Sequence, residues 1–238
     1  MSCKLLRVLR PKSGIYVINK STLVTDAEVK TWTAACARQI TEHVAPAYGL
    51  PPVKVSFLSA ASHAPAGAWV ITVLDDADQA GDLGWHTEDS SGRIYGRVFA
   101  KPCLEYGVSV STTLSHEVVE TFCDPDVNRW ADTGRGYRVA YEACDPVEGD
   151  SYLIGDVAVS DFVTPYWYGE RPAGGADFAP THWLGSPLAP FTLAPGGYVV
   201  RRHPDGSEDQ QFGERANRAY IAAKRHQLGR ADRRIEHP

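Results

Sequence analysis

Apolar residues recur at helical spacing in the first fifth of the chain. Across residues 25–49 they follow an i, i+3, i+4 pattern, with polar residues between them. Thr25 is followed three residues later by Glu28, the pattern of a capping box at a helix N-terminus. We therefore predict an amphipathic helix that begins at Thr25 and is ended by Pro46 and Gly49.

Short β-branched stretches follow this helix. We predict strands over residues 53–60, 68–76 and 92–100, because each is apolar and bounded by Pro or Gly, and the last one partly alternates polar and apolar residues. Similar stretches predict further short strands over residues 137–148, 151–163 and 165–168.

A second helical pattern lies between these two groups of strands. Over residues 109–122, Leu114, Val118 and Phe122 share one side of the predicted helix, and Asp124-Pro125 ends it. The order of elements indicates an α+β fold with an N-terminal helix, a small mixed sheet and a central helix.

The chain divides by composition near residue 168. We predict a core domain over residues 1–168 and an extension over residues 169–238, packed on the core or on a partner. The extension begins with a Gly- and Pro-rich, loop-like stretch (169–197) and includes a predicted terminal helix (213–228) that leads into a basic tail.

The composition narrows the function classes. The chain has 238 residues, 43% of them hydrophobic, and can bury a core without disulfides. A net charge of -5 gives no general attraction to phosphate, which disfavours nucleic acid as a partner. No segment has 18 uninterrupted apolar residues and the first residues lack the apolar centre of a signal peptide, so we expect a cytoplasmic protein without a membrane partner.

Five cysteines are scattered without C-x-x-C spacing. This favours free buried thiols over a disulfide scaffold or a thiolate zinc site. Cys123 and Cys144 both occur in the sequence C-D-P, so they could lie near each other.

The second helix carries a candidate metal site. Its sequence S-H-E-V-V-E matches H-E-x-x-H with Glu120 in place of the second histidine. His116 and Glu120 are four residues apart, so they share one face of a helix and could bind one ion, with Glu117 beside it as a general base. The competing interpretation is a solvated helix face that carries a histidine and two glutamates.

A complete site needs a third ligand, and several acids follow the helix. Glu142 and Asp145 are the rival candidates; if their segment is extended they point to opposite sides, unless Pro146 marks a turn. In an extended segment, Glu142 would share its side with Glu148. Asp126 is a further candidate, and Asp124 is more typical of a turn residue. For His86, a polar loop or strand-end position is favoured over a ligand.

Six segments within residues 84–168 support a family resemblance. The segments are GWH, YGRVFA, SHEVVE, DPDVNRW, YEACDPVE and SDFVTPYW. They resemble a group of largely uncharacterised phage, prophage and bacterial proteins with an S-H-E-x-x-E signature. The order of helix, strands, edge-like strand and H-E helix resembles the zincin metallopeptidase fold. The resemblance implies a zincin-like core, and the chain departs from the full zincin pattern at Glu120.

Two functions compete on these observations. The first is a zinc-dependent hydrolase of the peptidase type, with a peptide or protein as substrate. The second is a virion or assembly protein that keeps the core as a scaffold, with the site empty or holding a structural ion such as Ca²⁺. Its partners would be other proteins of a phage particle or further copies of the chain. A third hypothesis, that the protein binds nucleic acid, is supported only by the basic tail and is disfavoured.

Overall fold

A mixed five-stranded sheet organises the first half of the chain. The computed structural model describes residues 9–60, 63–78, 82–170, 182–185 and 188–214. The strands are β1 (Ile15–Asn19), β2 (Val55–Leu58), β3 (Trp69–Leu74), β4 (Gly84–Glu88) and β5 (Ile94–Phe99). Their order is β2-β1-β3-β5-β4; the first four in this order are parallel to one another, and β4 pairs antiparallel with β5 at the edge.

The predicted N-terminal helix is confirmed. It comprises α1 (Asp26–Arg38), a π-helical stretch (Gln39–Val44) and α2 (Ala45–Tyr48), which follow one another directly. The capping box forms as expected, because Thr25 accepts a hydrogen bond from the Glu28 backbone N–H while the Glu28 side chain accepts one from Thr25. Pro46 does not end the helix, since it lies in the first turn of α2, where its missing N–H costs little. Gly49, at φ 62°, ends it.

The three predicted strands of the first half are confirmed, with shorter bounds. Strands β1 and β4 were not predicted. Four of the five residues in β1 are buried, so the strand lacks the polar and apolar alternation that identifies a strand with one exposed face. The sequence of β4, GWHTE, is mostly polar although its three central residues are buried.

The second helix is also confirmed. After the short helix α3 (Ala100–Tyr106), helix α4 (Val110–Cys123) carries the S-H-E-V-V-E sequence through the centre of the molecule, and all but one of its residues are buried. It packs against β4, β5 and α1. Ser115 fixes it to a later strand, because its hydroxyl accepts a hydrogen bond from the Ser160 backbone N–H at 2.6 Å.

Shorter strands follow α4. These are β6 (Trp130–Asp132), β7 (Arg138–Ala140), β8 (Ser151–Ile154), β9 (Val157–Ser160), β10 (Tyr198–Arg202) and β11 (Glu208–Phe212). The sheet β11-β10-β7-β6 is antiparallel, and β8 and β9 form a separate hairpin that contacts α4. A 3-10 turn, Asp145–Val147, lies between β7 and β8.

The strand predicted over residues 165–168 is wrong: the segment forms consecutive turns, because Trp167 and Tyr168 donate their backbone N–H groups to the carbonyls of Thr164 and Pro165. In the Gly- and Pro-rich stretch, the described residues form turns and one isolated bridge, Val163 to His182. The helix predicted over residues 213–228 lies outside the described residues from 215 onward.

The described residues form an α+β fold, as predicted, with one mixed sheet, an antiparallel sheet and helices. The four cysteines that the structure describes are buried free thiols, in agreement with the interpretation of the spacing: Cys36, Cys103, Cys123 and Cys144. No helix among the described residues is both long enough and apolar enough to cross a bilayer.

Candidate metal centre

Helix α4 presents His116 and Glu120 on one buried face. The His116 Nε2 atom lies 3.2 Å from Glu120 Oε2, and both residues are less than a tenth exposed. This closeness follows from the helix, which places side chains at i and i+4 one turn apart. The alternative of a solvated helix face does not apply, because α4 is enclosed by the sheet, α1 and the β8–β9 hairpin.

The 3-10 turn brings Asp145 to the same histidine. Asp145 Oδ1 lies 3.3 Å from His116 Nε2, and the aspartate is 3% exposed. Pro146 lies within this turn, so the alternation expected of an extended segment is broken and Glu142 faces the same cavity as Asp145. Of the two rival third ligands, Asp145 is thus in direct contact with His116, while Glu142 has a carboxylate oxygen within 4.8 Å of ligand atoms of His86 and Glu120.

Glu117 lies between α4 and the edge strand. Its Oε2 atom is 3.4 Å from His86 Nδ1, and its carboxylate lies against Gly84 of β4. A Cβ atom at Gly84 would lie 2.8 Å from Glu117 Oε1. The glycine therefore provides the space that the Glu117 carboxylate occupies.

His86 is placed differently from the sequence-based prediction. It is not a polar loop or strand-end residue, since it lies in the middle of β4 and is 4% exposed. Its Nε2 atom is 2.9 Å from the Asp124 carbonyl oxygen, so that nitrogen donates and Nδ1 faces Glu117. The hairpin turn after β4, in which Asp89 accepts hydrogen bonds from Ser91 and Arg93, is the signal that could have identified the strand.

These side chains line one cavity of about 340 Å³. One wall is β4, another is α4, and a third is formed by residues 142–149 together with residues 195–198. Glu148, half-buried, lies at this third wall. Apolar and aromatic side chains complete the lining: Leu83, Trp85, Tyr106, Val108 and Tyr198.

The segment before β10 supports the turn that carries Asp145. Ala194 donates its N–H to the Pro146 carbonyl at 3.0 Å, and a Cβ atom at Gly197 would lie only 2.1 Å from that same oxygen. Only glycine permits this approach. Residues 194–197 therefore hold the turn that carries Asp145 in place, although they lie about 50 positions later in the chain.

The carboxylates of the two remaining candidates, Asp124 and Asp126, do not line the cavity. Asp124 is fully buried, and its carboxylate accepts the backbone N–H groups of Asn128 and Arg129, the turn role that its position before Pro125 indicates. Asp126 accepts a hydrogen bond from the Asn128 side chain and does not line the cavity.

Cys144 contacts the cluster, although the spacing of the cysteines in the sequence does not identify it as a site residue. Its backbone N–H donates to Glu120 Oε1 at 3.0 Å, and its Sγ lies 3.9 Å from the His116 carbonyl oxygen. Burial holds the pKa of the thiol well above its usual value. One ligand atom each of His116, Glu120 and Cys144 lie within 4.8 Å of one another, so the thiol is also a candidate ligand, and a bound cation would displace its proton.

The neighbouring carboxylates raise the pKa of both histidines. Burial acts to lower the pKa of His86, but the hydrogen bond with Glu117 and the charges of Glu142 and Glu120 outweigh it and raise that pKa to about 9. The pKa of His116 is also raised well above its usual value, because Glu120 and Asp145 outweigh burial. Burial, together with Asp145, raises the pKa of Glu120. A cation that binds here therefore displaces protons from the imidazoles.

The close fit of Glu117 against β4 can be tested with Gly84→Ala. We expect this substitution to lower the free energy of unfolding by about 1–3 kcal/mol, the usual cost of a methyl group inserted into a packed site. Urea denaturation measures the change. In a Glu117→Ala background the same substitution should cost much less, because the atoms it meets at 2.8 and 2.9 Å are removed. An equal cost in both backgrounds would mean that the Arg97 carbonyl, at 3.0 Å, sets the limit instead.

Comparisons with family models, with curated proteins and with solved structures give no match to this chain.

Proposed function

We propose that this protein is a metal-dependent hydrolase of the peptidase type. The observation that carries the proposal is the position of His116 Nε2, 3.2 Å from Glu120 Oε2 and 3.3 Å from Asp145 Oδ1. Nitrogen and oxygen ligands about 2.1 Å from a tetrahedral zinc ion lie about 3.4 Å from one another. The two separations measured from His116 Nε2 are close to that value, which supports Zn²⁺ as the ion held by these side chains.

We further propose that the core is zincin-like. In support, the helix that begins with α1 lies between the first and second strands of a mixed sheet, the sheet ends in the antiparallel edge strand β4, and α4 carries the H-E-x-x-E motif beside that strand. Glu120 takes the position of the second zincin histidine. A carboxylate oxygen is an ordinary zinc ligand, although its negative charge makes the ion a weaker Lewis acid.

In this proposal the chain supplies the proton transfers. A bound zinc ion polarises the substrate carbonyl and lowers the pKa of water at the site. Glu117, buried and adjacent to the ligand His116, accepts the proton of the attacking water and delivers it to the leaving amine. His86 and Gly84 hold the Glu117 carboxylate at the cavity wall.

The cavity suits a short stretch of peptide. Its lining combines the acids with apolar side chains, and its volume is in the lower part of the range usual for small-molecule sites. On the side away from β5, β4 has no strand partner among the described residues. An extended peptide could therefore pair with the β4 backbone while one of its residues enters the cavity.

A scaffold with a structural ion is the second candidate. The cavity contributes more carboxylates than imidazoles, and such oxygen-rich donor sets also suit Ca²⁺. In a virion or assembly protein this ion would stabilise the fold without turnover. The identity of the bound metal and the presence of hydrolysis separate the two candidates.

Metal content is the first test of the proposal. We expect protein purified without chelator or metal-affinity resin to contain at least one zinc per chain by plasma mass spectrometry, and Glu120→Ala to lose it. Glu105→Ala, an exposed glutamate on α3, is the matched control and should keep the metal. A zinc-loaded sample that cleaves a mixed peptide library supports the hydrolase. Stoichiometric calcium without cleavage supports the scaffold, and no metal in any sample contradicts both.

A further inference from the structure

The cavity holds more buried negative charge than one cation offsets. Four of its carboxylates are less than a tenth exposed, and they belong to Glu117, Glu120, Glu142 and Asp145. Among the described residues that line the cavity, none is Lys or Arg. One divalent cation offsets two of these four negative charges, and the histidine that binds it is neutral. Buried charges are usually paired or bound to metal ions, and two divalent cations would balance all four.

The ligand atoms fall into two sets that share one residue. In the first set, His116 Nε2 lies 3.2 Å from Glu120 Oε2 and 3.3 Å from Asp145 Oδ1. In the second set, one ligand atom each of His86, Glu120 and Glu142 lie within 4.8 Å of one another. Each set contains one imidazole nitrogen and two carboxylates, a donor set that suits Zn²⁺ or Mn²⁺.

His86 is oriented as a metal-binding histidine usually is. Its Nε2 donates to the Asp124 backbone carbonyl at 2.9 Å, so Nδ1 is the nitrogen that carries the lone pair once a cation has displaced its proton. Metal-ligating histidines commonly donate their other N–H to a carbonyl or carboxylate, and this hydrogen bond fixes both the tautomer and the ring orientation. The Nδ1 atom faces the acids of the cavity, with Glu117 Oε2 at 3.4 Å.

We infer that the protein binds two divalent cations, the first at His116, Glu120 and Asp145 and the second at His86, Glu120 and Glu142, with the Glu120 carboxylate bridging them. The inference rests on the proposed function for the first site and extends it with the second. Paired metal ions about 3.5–4 Å apart stabilise both the attacking and the leaving group in hydrolytic reactions. Glu117 lies beside both sets and remains the proton acceptor.

Metal stoichiometry tests this inference. Protein stripped of metal and titrated with Mn²⁺ in a calorimeter should take up two equivalents per chain. His86→Ala and Glu142→Gln should each reduce this to one equivalent, Asp145→Asn should also reduce it to one, and Glu120→Ala should abolish strong binding. Glu105→Gln serves as the matched control and should keep two.

The outcomes separate the two proposals. One equivalent in the wild-type protein, unchanged by His86→Ala or Glu142→Gln, would overturn the second site and leave the hydrolase intact. No uptake of Mn²⁺ or Zn²⁺ would overturn both. Because His86 is buried, circular dichroism should first establish that its variant folds; if it does not, the wild-type stoichiometry and Glu142→Gln decide the question.

Discussion

Glutamine in place of Glu117 is expected to lower the turnover of a peptide substrate by about 10²- to 10⁴-fold, the usual contribution of a general base. The amide has nearly the same shape, so it still fits against Gly84, but it cannot accept a proton from water. Glu117 is not in either ligand set, so the metal content should stay unchanged. The measurements are kcat on a peptide found in the library screen and metal per chain by mass spectrometry.

Glu105→Gln is the matched control for this experiment, because it makes the same chemical change on the exposed face of α3. Its kcat should equal that of the wild-type protein. If Glu117→Gln turned over substrate at the wild-type rate with its metal retained, Glu117 would not be the base. If the variant lost its metal, Glu117 would be a ligand and the assignment of roles would have to change.

Removal of the cation is expected to lower the melting temperature by about 8–16 °C. A cation present at about 1,000 times its Kd stabilises the folded state by about 4 kcal/mol. In a chain of this size each kcal/mol corresponds to about 2–4 °C in Tm. The physical reason is the group of buried carboxylates, which repel one another when no cation offsets their charge. Differential scanning calorimetry with and without a chelator measures the change.

Glu120→Ala provides the control for the effect of the chelator. With its shared ligand removed, this variant should bind no cation, so the chelator should leave its Tm unchanged. Returning Zn²⁺ or Mn²⁺ to the stripped wild-type protein should restore the original Tm. A wild-type Tm that does not respond to the chelator would mean that the folded protein is not stabilised by a metal at this cavity.

The fold could be predicted from the sequence where periodicity was strong. Thr25 and Glu28 identified the start of the first helix, and Leu114, Val118 and Phe122 identified α4. Strands β1 and β4 gave no such signal, because burial on both faces removes the alternation on which strand prediction depends.

The candidate site was predictable only in part. The i, i+4 spacing of His116 and Glu120 fixes their relation within one helix, whatever the tertiary structure. The side on which Asp145 and Glu142 lie depends on the turn at Pro146, and that conformation could be named as an alternative but not chosen from sequence. His86 reaches the cluster only through the pairing of β4 with β5, a contact between strands that residue spacing does not encode.

The contact of residues 194–197 with Pro146 has a consequence for the design of shorter versions of this protein. A fragment that ends at residue 168 retains every ligand candidate, yet it lacks the Ala194 N–H that holds the Pro146 carbonyl and the strand β10 that packs on the turn. The minimal unit for reconstitution or for transfer of this centre to another scaffold must therefore extend through β10 and its partner β11, to Phe212.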